Sequence, residues 1–347
     1  MIFARLKHIL NQSDRISAFD FVRAMAAMSV LITHFEIVDT LSIDIDAFFI
    51  LSGYLITQFL YEDESLDINK KYLVKRITKI LPSYFFFVIV AFLLGSLFFK
   101  NIYGENLPIL SEWKQYFFFY RNYGGLPPRW SFEHLWTICV EEHFYFLMLF
   151  ISVLWFNRMD FRARIPWILF GILLLSLMAK IQAMFTLIAE YPTYTHNRLD
   201  AFCIGGIMYL FQDRYISIPK VKKLIAAILA IIILGTVIIF DQSINGLLLR
   251  CLSPIMLSIV FIYLLEIEFQ KIFTVLAYYS YNLYLWHNFL VIPVVYYWGF
   301  SWMGFLIYTT LSFALAVFTT HMVEDYFISK RSMIFTILFK EQKSKNT

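Results

Sequence analysis

A chain of 347 residues that is 60% hydrophobic, 20% aromatic and 16% charged cannot hide its apolar side chains in one soluble core. A mean hydropathy of +0.67 excludes a soluble globular enzyme, and the net charge of +4 reads as one basic membrane face rather than as a nucleic-acid surface. The expected fold class is an all-α polytopic membrane protein, built as a single domain over 1–347 with a core of about 16–331.

Ten apolar runs have about the length that a bilayer core requires. They cover 16–36, 44–61, 81–99, 133–156, 166–187, 199–212, 223–240, 246–265, 274–298 and 302–323, the sixth being short for a full crossing. The segment 1–15 shows no small-residue cleavage site, so the first run is expected to stay as an anchor. Basic residues gather in alternate connections: Arg5, Lys7 and Arg15; Lys70, Lys71, Lys75, Arg76 and Lys79; Arg158, Arg162 and Arg164; Arg214, Lys220, Lys222 and Lys223; Lys271; and Lys330 onward. By the positive-inside rule both termini are cytoplasmic, with 1–15 and 332–347 as short basic tails.

In the first run Arg23 and His34 are eleven residues apart, about 20° past three full helical turns, so both project from one face. A cation and an imidazole inside an apolar helix suggest a lined channel; the alternative is a snorkelling Arg and a His bonded to a neighbouring helix. In the second run Ser52 and Gly53 permit close helix approach, and Asp44 and Asp46 at its outer end are either solvated or partners of a buried cation. Arg76-x-x-Lys79-x-x-Pro82 then forms a basic ridge, suited to donor phosphates or to anionic lipid. The connection Lys100 to Ser131 is crowded with aromatics, as an interfacial segment lying along headgroups would be.

The fourth run buries Glu141 and Glu142, which point about 100° apart, with Glu133 and His134 nearer its mouth. Such carboxyls must be protonated, hydrated or paired, and Arg23 is one candidate partner. Arg198 and Asp200 flank the sixth run as a local pair or an acceptor-side site, and His287 lies midway along the ninth. Cys139, Cys203 and Cys251 show neither C-x-x-C nor His-paired spacing, so no metal site or disulfide framework is expected and they read as packing residues. The same ionisable residues would serve a proton-coupled transporter, although the chain shows no internal repeat.

In order, these motifs resemble the membrane-bound acyltransferase-3 family, over about Ser17 to Arg331. Arg23 and His34 match its Arg-x10-His; Phe48, Phe49, Ser52, Gly53 and Ile56 its second motif; Arg76, Lys79 and Pro82 its basic motif. Leu135, Trp136, Thr137, Glu141, Glu142, Phe144 and Tyr145 follow, then Arg198, Asp200 and Gly205, then Ser280, Tyr281, Tyr284, Leu285 and His287. Ala24, Thr137 and His143 depart from the usual Gly, Ser and Gln. The resemblance implies an O-acetyltransferase of the bacterial cytoplasmic (inner) membrane, moving acetyl from acetyl-CoA to an envelope carbohydrate such as an O-antigen or exopolysaccharide, free or lipid-linked. It also implies no bound cofactor, metal or nucleic acid, with membrane lipid as surroundings. In that reading His34 is general base or acyl carrier, Arg23 positions the donor, and Glu142 orients Arg23 or His34. Arg76, Lys79, Ser52 and Gly53 lie on the donor side; Glu141, Tyr145, Arg198, Asp200 and His287 are acceptor-side or structural.

Overall fold

The computed structural model describes Leu10 and residues 16–36, 43–63, 65, 67–104, 107–123, 130–154, 158–186, 193–240 and 251–339. Among them there is no strand. Twelve longer helices run α1 Ser17–His34, α2 Ile43–Glu62, α3 Ile68–Lys79, α4 Leu81–Phe98, α5 Trp136–Leu154, α6 Arg158–Thr186, α7 Leu199–Leu210, α8 Lys220–Phe240, α9 Ser253–Leu264, α10 Lys271–Trp298, α11 Trp302–Thr319 and α12 Arg331–Phe339. Local chemistry sets several of their ends. Pro82 and Pro254 occupy first turns, where a missing N–H costs nothing. Gly299 ends α10 at φ +65°, and the Ser301 hydroxyl then caps α11 by accepting from the Gly304 amide.

Every expected run contains a helix, with shifted ends: α6 starts at Arg158 rather than 166, and the described part of the eighth run is only Ser253–Leu264. Four stretches among the described residues are long and apolar enough to cross a membrane: 68–98, 131–154, 159–183 and 302–329. Polar residues lower the hydropathy of others: α1 holds Asp20, Arg23 and His34, and the 28-residue α10 holds Asn282, His287 and Asn288. The outward faces are apolar, with Trp167 76% exposed and Val221, Ile225, Ile228 and Ile232 exposed along α8, as lipid contact requires. Within the short basic tail expected over 332–347, residues 332–339 belong to α12, which lies beside α3; 1–9, 11–15 and 340–347 are outside the described residues.

The tightest helix crossing joins α2 to α7. A Cβ on Gly53 would sit 2.0 Å from the Phe202 carbonyl oxygen, and one on Gly205 would sit 1.9 Å from the Ile50 carbonyl oxygen. Two backbones are therefore in contact through reciprocal glycines. Gly53 thus lies at the close helix approach that its small size permits. Helix α10 packs on α1 and α11. Two apolar cores result, and Phe48 and Tyr281 pack against both.

The connection after α4 is more than an interfacial strip. Tyr103, Tyr116, Gln115, Arg121 and Asn122 are buried. Its polar atoms tie it down: the Tyr103 hydroxyl donates to the Phe289 carbonyl at 2.5 Å, and Tyr84 donates to the Tyr116 carbonyl at 2.9 Å. Only the outward aromatics, such as Phe118, keep the expected exposure. Cys139 and Cys203 are buried free thiols, and Cys251 is a half-buried one.

Candidate functional site

Three histidines from different segments meet at the end of α1. The ring centroids of His34 and His287 are 4.8 Å apart, and those of His287 and His134 are 4.9 Å apart. His134 precedes α5 and His287 lies on α10, so the α1–α10 packing brings together residues more than 250 positions apart. A carbonyl oxygen only accepts, which fixes the hydrogen positions on two of the rings. His134 Nε2 donates to the Leu285 carbonyl at 3.0 Å, and His287 Nδ1 donates to the Tyr284 carbonyl at 2.6 Å. The Tyr284 hydroxyl donates back to the His134 carbonyl at 2.9 Å and lies 2.7 Å from the Thr137 hydroxyl. His34 thus has His287 as a ring neighbour, with His134 behind it. Glu142, the expected orienter, has Arg76 and Glu141 as charged neighbours.

A second cluster forms where α3 meets α5. The Arg76 guanidinium lies 3.8 Å from the ring centroid of Tyr145. The Tyr145 hydroxyl is 3.2 Å from the Ser52 hydroxyl and 3.3 Å from Glu141 Oε2, and Ser52 donates to Glu141 Oε1 at 3.4 Å. Glu142, buried with Oε1 unpartnered, lines a cleft with Tyr72, Arg76 and Tyr145. The two adjacent carboxyls diverge as the helical angle requires, and both are used: Glu141 toward α2, Glu142 toward Arg76. Arg23 lies within electrostatic reach of Glu141, 27% exposed, with Nη1 3.9 Å from Asp20. The basic ridge divides. Arg76 turns inward, whereas exposed Lys79 lies within reach of Glu324.

Arg198 and Asp200 each have a partner on another helix. Arg198 Nη1 is 2.9 Å from Asp46 Oδ1, and its guanidinium carbon lies 5.4 Å from the Trp136 ring centroid. Ser253 donates to the other Asp46 oxygen at 2.9 Å, while Lys180 Nζ is 2.5 Å from Asp200 Oδ2. This buried network clamps α2, α6, α7 and α9. Asp46 is the partner of a buried cation; the side chain of Asp44 lies outside the described residues.

Sequence reasoning missed two groups. Lys180, a lone ammonium within an apolar run, carried a signal of its own: such a charge needs a buried partner. Asn282 and Glu324 carried none, because their meeting depends on a π-helical turn at Thr320–Glu324. That turn brings the Glu324 carboxylate and the Thr320 hydroxyl to the Asn282 amide, at 2.7 and 2.9 Å. Among the described residues no group of His, Cys, Asp and Glu has the arrangement to hold a metal ion.

The helices and outward apolar faces define an all-α integral membrane protein whose polar groups converge in two internal clusters. The family model described as an acyltransferase domain, acyltransferase-3, matches residues 16–321, and the chain belongs to that family. It is 28% identical over 158 residues to the peptidoglycan O-acetyltransferase OatA of Listeria monocytogenes, covering 40% of this chain and 25% of that protein. It is also 28% identical over 241 residues to the O-acetyltransferase OatA of Staphylococcus aureus, covering 62% of this chain and 38% of that protein. The chain therefore spans well under half the length of these relatives. No solved structure matches it.

Proposed function

We propose that this protein is an O-acyltransferase that moves an acyl group, acetyl in the simplest case, from acyl-CoA to a hydroxyl of an envelope carbohydrate, free or lipid-linked. The names of its relatives support O-acetyl transfer to a glycan. The observation that carries the reading is that one helix serves both clusters. Thr137, bonded at the histidine cluster, and Tyr145, stacked on Arg76, both lie on α5, about 12 Å apart at 1.5 Å per residue.

In this reading ten spans cross the inner membrane with both termini cytoplasmic, which puts Arg76 and Lys79 at the inner face to meet the CoA phosphates. Arg23 holds the donor deeper in the channel. His34 removes the proton of the sugar hydroxyl as its oxygen attacks the thioester carbonyl. The C–O bond forms, the C–S bond breaks, and the proton passes from His34 to the departing thiolate. The Ser52–Glu141–Tyr145 network fixes the ring on which Arg76 stacks, and the Arg198–Asp46 and Lys180–Asp200 pairs hold the scaffold.

The test uses the purified protein in lipid vesicles, with acetyl-labelled acetyl-CoA and pooled envelope glycans. Label should move into a base-labile ester on the glycan. Arg76→Ala should raise KM for acetyl-CoA roughly 10- to 100-fold, the worth of a hydrogen bond between charged groups, with little change in turnover at saturation. Solute uptake without CoA, and no labelled glycan, would replace the enzyme with a transporter.

A further inference from the structure

His134 and His287 are 3% and 0% exposed, and each has spent its one N–H on a backbone carbonyl of α10. The remaining ring nitrogens, His134 Nδ1 and His287 Nε2, are buried without a hydrogen-bond partner. A second proton on either ring would bury another unmatched N–H, so the observed bonds suit neutral rings that only accept at those atoms. Two locked acceptors thus stand in line from His34, the nearer ring 4.8 Å away. A neighbour that donated would occupy the lone pair with which His34 must take its proton. A neighbour that accepts leaves that lone pair free and claims the opposite N–H.

We infer that His287 is a positioning residue for His34: its Nε2, without a partner in this structure, takes the N–H of His34 as that ring turns its free nitrogen toward the acceptor hydroxyl, and holds that N–H once His34 carries the proton. His134 sets the polarity of the pair, for it too presents an acceptor and gives His287 no proton to pass on. The inference rests on the acyltransferase reading and adds a residue to its base. No net charge is created beyond the proton that His34 takes from the hydroxyl and returns to the thiolate.

Amide isosteres separate this role from a structural one. His287→Asn keeps a donor near the δ position for the Tyr284 carbonyl and removes the acceptor at ε; His287→Gln places an amide oxygen near ε and gives up the δ donor. With acetyl-CoA and pooled glycans, H287N is expected to keep its melting temperature and its KM for acetyl-CoA while kcat falls roughly 10- to 100-fold, as for loss of a hydrogen bond to a charged group. H287Q should turn over faster than H287N. A structural role predicts the reverse order, so wild-type turnover in H287N, or H287Q slower than H287N, would overturn the inference. His34→Ala is the control: transfer retained there removes His34 as the base, no transfer even in the wild type removes the acyltransferase reading itself, and transfer lost in His34→Ala but intact in H287N removes only the role of His287.

Discussion

Replacing Gly53 with valine is expected to leave almost no correctly assembled protein. The first carbon of the new side chain would sit 2.0 Å from the Phe202 carbonyl oxygen, and no rotamer change can move a backbone atom. Overpacking against side chains costs about 1–3 kcal/mol. Here the alternative is to push α2 and α7 apart by about 1 Å along their whole crossing, which loosens the contacts on either side of it. Gly171 on α6 supplies the contrast, since nothing lies within 4 Å of a Cβ built there. Gly171→Ala should be neutral or stabilise by up to about 1 kcal/mol, through helix propensity alone. Melting in detergent, followed by size-exclusion chromatography, reads both variants. A Gly53→Val protein with the wild-type transition would show that the α2–α7 crossing is not as close as described.

The second large effect is expected from Asp46→Ala. This substitution takes the Asp46 carboxylate away from the Arg198 guanidinium, 8% exposed, and removes the acceptor of the Ser253 hydroxyl. Breaking one side of a buried pair costs about 3–5 kcal/mol, because the surviving charge stays out of water. The exposed pair Lys70–Asp67, with an N–O distance of 3.2 Å and both side chains over 40% exposed, makes the comparison. Its removal should cost less than about 1 kcal/mol. The same melting assay should therefore show a large loss for Asp46→Ala and almost none for Asp67→Ala. Equal losses would mean that the Asp46–Arg198 pair is hydrated.

These two variants mark the boundary of what was legible in the chain. Hydropathy placed a helix in each of the ten apolar runs, because apolar length is a local property, but neither α3 nor α12 lies in one of them. The shared face of Arg23 and His34, and the divergence of Glu141 and Glu142, followed from helical angle alone. Pairings between helices were not legible. Arg198 and Asp200, two residues apart, read as a pair, yet each finds a partner more distant in sequence, Asp46 and Lys180, since residues i and i+2 face different sides of a helix. His287 joined His34 only through the packing of α10 on α1, and Gly53 met Phe202, and Gly205 met Ile50, only through the crossing of α2 with α7. Glu324 depended on a π-helical turn, which no 3.6-residue period foretells.

That His34 is the base of an acyl transfer is tested most directly by acceptor-stimulated release of CoA thiol from acetyl-CoA. The purified protein is assayed in lipid with pooled envelope glycans, wild type against His34→Ala, at matched amounts of folded protein. Wild type should release thiol faster when glycan is added, and the variant should lose that stimulation by about 10²- to 10⁴-fold, the usual worth of a general base, while still binding labelled acetyl-CoA. Stimulated release in His34→Ala at the wild-type rate would contradict the assignment.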